Sequence, residues 1–213
     1  MVSLLAAARD GRSGGEHLAS GRGTVDRVRL PGGKCVFVRK YRRGGFARYF
    51  VSDLYLIRPE RPFRELVVTE TARAAGCPVP TVLAVAVEDV GPCYRGWIVT
   101  EAIDDVRPLI DAWLARDNAD KPELLRRVGA AIRSLHDAGV YHVDLTGHNV
   151  IVRSDGRPVI LDFDRGFFGA PRDARHTQRG LDRFWRSMTK LCGRADRPLE
   201  AAQRSWLEQG YGS

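Results

Sequence analysis

No apolar run in this sequence approaches the roughly 20 residues that a membrane-spanning helix needs. Any membrane contact is therefore expected to be peripheral. The opening, Val2-Ser3-Leu4-Leu5-Ala6-Ala7-Ala8-Arg9, is too short for a signal peptide and lacks a leading positive region. Four of the 213 residues are cysteine, namely Cys35, Cys77, Cys93 and Cys192, and none stands in Cys-x-x-Cys spacing. That argues against a zinc site or a disulfide framework and fits free thiols in a reducing cytosol. A full Gly-x-Gly-x-x-Gly is absent, as are an Ala-Pro-Glu, internal repeats and low-complexity tracts. Acidic residues are in the minority. The 26 Asp and Glu against 34 Lys and Arg leave a net charge of +8, with a pI near 9.7. Such a balance asks for an anionic partner such as a nucleotide, an anionic lipid or a nucleic acid. With 44% hydrophobic residues the chain can build a core, as one domain or as two small lobes packed as a unit.

The most informative stretch runs from His142 to Asp164. It reads His142-Val143-Asp144-Leu145-Thr146-Gly147-His148-Asn149, then Val150 to Val152, a Ser154-Asp155-Gly156 turn, and Val159-Ile160-Leu161-Asp162-Phe163-Asp164. Four residues separate Asp144 from Asn149, and Asp162 ends the second apolar run. This is the layout of a kinase catalytic loop, a short hairpin and a metal-binding aspartate. Phosphoryl transfer from ATP needs mainly positioning and charge neutralisation. Asp144 suits the role of meeting an incoming hydroxyl. Magnesium takes hard oxygen ligands and keeps part of its water shell, so the Asn149 amide and the Asp162 carboxylate suffice as protein donors. The runs Val150–Val152 and Val159–Leu161 are expected to pair as strands and carry Asp162 back beside Asn149. His142 is expected to hold the loop by hydrogen bonding.

At these residues the chain resembles the kinase-like superfamily and, within it, the 3-deoxy-D-manno-octulosonic acid (Kdo) kinase and lipopolysaccharide kinase family. That family has a loop similar to His-Ala-Asp-Leu-Asn-x-His-Asn and a hairpin ending in Ile-Asp-Phe-Asp-Arg/Lys-Gly. The counterparts here are His142 to Asn149 and Leu161 to Gly166. A general protein kinase would carry Asp-Phe-Gly, so Asp164 favours the lipopolysaccharide branch. Val38-Arg39-Lys40-Tyr41-Arg42-Arg43-Gly44-Gly45 looks like the family's Leu-Arg-His-Tyr-Arg-Arg-Gly-Gly, and Arg61-Pro62-Phe63-Arg64-Glu65 is a third matching block. The likeness runs from about Gly21 to the C-terminus. The sequence departs from it at Thr146-Gly147, at Lys40 and at Phe167-Phe168-Gly169.

The resemblance implies an α+β, protein-kinase-like two-lobe fold, with a β-rich N-lobe over 1–103, a reduced α-rich C-lobe over 104–213, and ATP in the cleft. It implies γ-phosphoryl transfer to the 4-hydroxyl of a Kdo residue on a lipid A precursor, peripherally at the cytoplasmic face of the bacterial inner membrane. In register with the family, Arg39 takes the place of the usual phosphate-holding lysine. Lys40 is the alternative, on the opposite strand face. Glu65 is the implied partner that orients the cation, with Glu70 as runner-up. Thr100-Glu101-Ala102-Ile103 is the implied hinge, where adenine meets backbone groups. Asp164 and Arg165 are candidates for supporting metal or acceptor. A small atypical protein kinase and a nucleotide-binding pseudokinase are the rival readings.

The rest of the chain fits that frame. Val25 to Leu30 alternates as a half-buried strand, and Cys35 to Val38 reads as the next. Gly21 and Gly23 can let backbone amides approach ATP phosphates, with a plain turn as the alternative. The basic, aromatic run from Arg39 to Phe50 suits anionic headgroups or acceptor phosphates better than nucleic acid. Arg61 to Ala75 reads as a helix ended by Gly76 and Pro78. Val79–Val87 and Trp97–Ile103 are expected to complete a five-strand sheet. A short helix is expected over 108–116. Pro122 to Ala138 carries an apolar stripe at helical spacing, with Asp120 as its cap and Gly139 as its stop. Helices over Arg179–Leu191 and Pro198–Tyr211 close the chain.

Overall fold

The computed structural model describes residues 17–20, 23–30, 32–41, 55–56 and 60–212. It divides into two units, one of residues 1–67 with 81–102 and one of residues 68–80 with 103–213.

The first unit is built on a sheet. Its strands are β1 (His17–Ser20), β2 (Gly23–Arg29), β3 (Cys35–Lys40), β4 (Tyr55–Leu56), β5 (Val82–Val90) and β6 (Cys93–Glu101). The order is β1-β2-β3-β6-β4, with β5 on the other edge of β6. Six strands thus replace the five expected, because β1 and β4 are short pieces without a strong apolar pattern. The later strands also lie two to four residues away from the expected bounds. A tight Gly91-Pro92 turn lets Val90 pair with Cys93, which extends β5 to Val90 and starts β6 at Cys93. Alternation along β3 buries Val36 and Val38 against Trp97 and Val99 on one face. The other face holds Tyr41, Val82 and Ile98, with Leu66 packed on them. Leu66 belongs to α1 (Glu60–Ala74), whose Pro62 sits in the first turn, where a missing N–H is tolerated.

The second unit is organised on α3 (Lys121–Asp137), preceded by β7 (Val106–Pro108) and α2 (Leu109–Leu114). The α3 stripe Leu124, Leu125, Val128, Ala131, Ile132 and Leu135 is buried in the main core. Asp120 occupies the N-cap position but its side chain makes no capping bond. Gly139 follows the helix at φ +67°, a conformation few side chains adopt. Next come β8 (Val140–Tyr141), a 3₁₀ turn (Gly147–Asn149), β9 (Val150–Arg153) and β10 (Pro158–Ile160). The segment after Asp164, read as merely short and polar, contains β11 (Phe167–Phe168), which pairs with β8. Helix α4 (Ala174–Arg194) starts five residues earlier than expected, because Asp173 accepts from the N–H groups of Arg175 and His176. The last helix is α5 (Arg204–Gly212), entered through a separate 3₁₀ turn (Ala201–Gln203).

Helices α3 and α5 cross at two glycines. A Cβ on Gly129 would lie 2.1 Å from the Leu207 carbonyl oxygen, and one on Gly210 would lie 1.9 Å from the Arg126 carbonyl oxygen. Only hydrogen fits at either point. Among the described residues no helix is long and apolar enough to cross a membrane.

Candidate active site

In the first unit the structure brings Arg39 and Glu65 together. Strand alternation puts Val36 and Val38 in one apolar cluster, so Arg39 projects from the face that α1 covers. Its Nη2 lies 2.5 Å from Glu65 Oε1. The Tyr41 hydroxyl donates to Glu65 Oε2, also at 2.5 Å. The Glu65 side chain is only 4% exposed, and both its oxygens are met. Removing either partner would leave a buried carboxylate undercompensated. Tyr41 is itself held between guanidinium groups, with Arg39 and Arg61 each 5.1 Å from its ring centre. Lys40 projects from the opposite face, with Nζ 5.5 Å from the Trp97 ring centre. Glu70 pairs with Arg73 at 2.6 Å, so the runner-up partner is engaged elsewhere.

Tyr41 was not singled out from the sequence as a site residue. The available signal was its position two residues after Arg39, which puts both on one strand face.

The remaining candidates of this unit are placed less fully. Gly23 begins β2, while Gly21 and the basic run 42–50 lie outside the described residues. Glu101 ends β6. Its N–H donates to the Thr81 carbonyl at 3.0 Å, and its carboxylate meets Lys34 Nζ at 2.9 Å. That N–H is therefore not on offer to a nucleotide.

In the second unit, His142 fastens the loop that follows β8. Its Nε2 donates to the Leu161 carbonyl at 2.9 Å, and its Nδ1 accepts the Asp144 N–H at 3.1 Å. Because Nδ1 accepts from a backbone amide, the network assigns the proton to Nε2 and leaves the ring neutral. Burial pushes its pKa below the ordinary 6.5, and its ring packs on Phe163 with centroids 4.9 Å apart. Leu145, fully buried, anchors the loop from below. Gly147 lets it lie flat on α4. The Gly147 N–H donates to Ser187 Oγ at 3.2 Å, and a Cβ there would stand 2.5 Å from Met188 Sδ.

Asn149 closes the loop, its Nδ2 donating to the Asp144 carbonyl at 2.9 Å. Among the described residues its Oδ1 accepts no hydrogen bond, which leaves an oxygen donor. Strands β9 and β10 pair antiparallel, Val150 opposite Ile160. The ladder continues one step beyond β10, where the Leu161 N–H donates to the Asn149 carbonyl at 2.8 Å. So Asp162 arrives beside Asn149. Asp162 has φ +66°, the left-handed region that aspartate tolerates better than most residues.

The Asp144 carboxylate lies between two cations. Arg183 Nη1 is 3.3 Å from Oδ1, and Arg165 Nη1 is 3.5 Å from Oδ2. All three side chains are well exposed, so these pairs are weak and open to exchange with an incoming group. Asp164 is half-buried beside the metal-binding candidate. Among the described residues no three His, Cys, Asp or Glu side chains converge as a closed metal cage. The donor set is one amide oxygen and one carboxylate, which fits an ion that keeps waters and takes phosphate oxygens.

Beside Asp144 lies a cavity of about 210 Å³, whose walls include Tyr141, Phe167, His176, Arg179 and Arg183. Tyr141 is fixed through its hydroxyl, which donates to the Ala170 carbonyl at 2.7 Å and accepts the Asp173 N–H at 2.7 Å. Composition and motif spacing had given no hint of this cavity, since its walls come from α3, β8, β11 and α4.

Comparison with known proteins gives the family. The model of the lipopolysaccharide kinase (Kdo/WaaP) family matches residues 18–211. A 3-deoxy-D-manno-octulosonic acid kinase of Stenotrophomonas maltophilia (strain R551-3) is 35% identical over 196 residues, spanning 88% of this chain and 74% of that protein. One of Vibrio cholerae serotype O1 is 33% identical over 180 residues, spanning 83% of this chain and 74% of its own length. A third, of Xylella fastidiosa (strain 9a5c), is 32% identical over 202 residues, with 90% and 76% covered. With nearly its whole length matched, the chain belongs to the lipopolysaccharide kinase (Kdo/WaaP) family.

Proposed function

We propose that the chain transfers the γ-phosphoryl group of ATP to the 4-hydroxyl of a Kdo residue on a lipid A precursor. The observation that carries this reading is Asp144, an accessible carboxylate on a loop that His142 and Asn149 hold in one shape, beside the strand end that bears Asp162. Relatives sharing about a third of its residues are Kdo kinases by name.

In this reading Asp144 orients the acceptor hydroxyl and takes its proton as the oxygen attacks the γ-phosphorus and ADP departs. Arg39 grips the α- and β-phosphates. Its planar fork suits two phosphate oxygens at once, which a lysine cannot match. Glu65 and Tyr41 keep that fork from folding away. Asn149 Oδ1 and the Asp162 carboxylate are the residues that would hold magnesium. A magnesium ion bound there supplies charge neutralisation to the phosphates.

The acceptor is part of a lipid, so the enzyme works peripherally at the cytoplasmic face of the inner membrane. The net charge of +8 supports attraction to such an anionic surface.

The test offers labelled ATP with a Kdo-bearing lipid A precursor and, separately, a generic protein. Label on the lipid, on the sugar's 4-oxygen, is the expected result. Label on protein alone would replace this reading with a protein kinase.

A further inference from the structure

The cavity beside Asp144 has no part in the phosphoryl chemistry described above, yet it is built from parts that suit one class of ligand. Residues 176, 179, 180 and 183 follow helical spacing, so α4 presents them as one wall. Across from them lies a stack of rings in which Tyr141 and His136 are buried while Phe167 and His176 stay partly exposed. Tyr141 stacks on His136 and on Phe167, with centroids 5.0 and 5.4 Å apart, and His176 meets Phe167 edge-on at 4.9 Å. Burial lowers the pKa of His136 to about 4, and His142 is lowered for the same reason, so these two rings stay uncharged at neutral pH.

Permanent positive charge is carried by arginines on the α4 wall. Arg183 touches Asp144 at 3.3 Å. Arg179 makes no hydrogen bond or ion pair among the described residues. The volume, about 210 Å³, is below the roughly 300–1,000 Å³ of drug-sized pockets and suits a single sugar ring better than a whole glycolipid.

Partly exposed rings such as Phe167 and His176 can pack against the C–H face of a sugar, while guanidinium groups grip a planar carboxylate. The relatives act, by name, on an octulosonic acid, a sugar that carries a carboxylate. An acid approaching Asp144 meets a like charge, and an offsetting cation is needed at that point. We infer that this cavity receives the acceptor sugar, with Arg179 and Arg183 clasping its carboxylate and Phe167 and His176 lining its ring. The inference rests on the Kdo-kinase reading. It makes Arg179 a specificity-determining residue that the phosphoryl chemistry alone does not require.

The experiment compares two acceptors, a Kdo-lipid A precursor with a free C1 carboxylate and the same compound as its C1 methyl ester. Wild type is expected to prefer the acid in kcat/KM. In Arg179→Met that preference shrinks by about tenfold to a hundredfold, through the acceptor's KM, the loss expected for a hydrogen bond to a charged group. Arg179→Lys recovers part of it, because charge returns without the fork. Thermal unfolding of each variant shows whether the fold is kept. A preference for the acid that survives intact in folded Arg179→Met overturns the inference and leaves the Kdo-kinase reading standing. Equal use of acid and ester by wild type does the same. Transfer to neither acceptor by wild type overturns both together.

Discussion

His142 donates from Nε2 to the carbonyl of Leu161 at 2.9 Å, tying the start of the loop that carries Asp144 to the residue before Asp162. One buried imidazole thus fixes two segments that are distant in sequence. Because its other nitrogen accepts the Asp144 N–H, the same ring sets the entry angle of the proposed base. His142→Ala should lower kcat by roughly 10²-fold, since small misplacements of reacting groups cost that much. The KM for ATP should change far less. Steady-state kinetics on the purified variant check this, and an unchanged kcat would remove His142 from the account.

The two buried histidines also make stability depend on pH. Burial holds the His136 pKa at about 4 and lowers that of His142, against 6.5 for an exposed ring. The unfolded chain therefore binds protons that the folded chain refuses as pH falls below about 6.5. Stability is fully present above that value and is lost between about 6.5 and 4. For His136 alone the loss amounts to about 3 kcal/mol across that window. Urea unfolding at several pH values should show the decline, and His136→Phe should flatten it.

Arg39 and Lys40 are neighbours in sequence with opposite fates. Arg39 meets buried Glu65 at 2.5 Å, while Lys40 lies over Trp97 on the other side of the sheet. Arg39→Ala should reduce kcat/KM for ATP by about 10²-fold, as expected for loss of a charge-assisted contact of about 3 kcal/mol. It should also destabilise the fold, because buried Glu65 then loses the guanidinium it meets at 2.5 Å. Lys40→Ala should stay within a few-fold of wild type. Reversed effects in the two variants would assign the phosphate contact to Lys40.

The glycine crossing of α3 and α5 gives a structural prediction. Gly129→Ala or Gly210→Ala drives a methyl into a backbone carbonyl, 2.1 or 1.9 Å away, where no side chain can yield. Each should destabilise by about 2–3 kcal/mol or more, as overpacking does. Gly193→Ala, a helical position with open space around it, should be neutral or slightly stabilising. Thermal melts of the three variants separate these outcomes.

What could be read from the sequence was local. The stripe from Leu124 to Leu135, the hairpin around Asp155-Gly156, and the opposite facing of Arg39 and Lys40 follow from periods of 3.6 and 2. The spacing of Asp144, Asn149 and Asp162 marked the region because phosphoryl transfer would need those three side chains together, with His142 expected to hold the loop. Contacts between distant segments stayed hidden. Nothing near Gly129 announces Gly210, and nothing near Asp144 announces Arg183, which lies across 39 residues of chain. Strands β1, β4 and β11 were missed because two to four residues carry too little alternation to stand out. Tyr41 went unmarked because tyrosine beside a strand end usually means packing.

The most direct test of the central claim is γ-phosphate transfer to a Kdo-lipid A precursor by wild type and by Asp144→Ala, with ATP affinity measured on both. Removing a general base typically forfeits 10²–10⁴-fold in rate. The expected result is a loss of about that size with ATP binding within a few-fold of wild type. Transfer by Asp144→Ala at an undiminished rate would contradict the role given to Asp144 and the chemistry built on it.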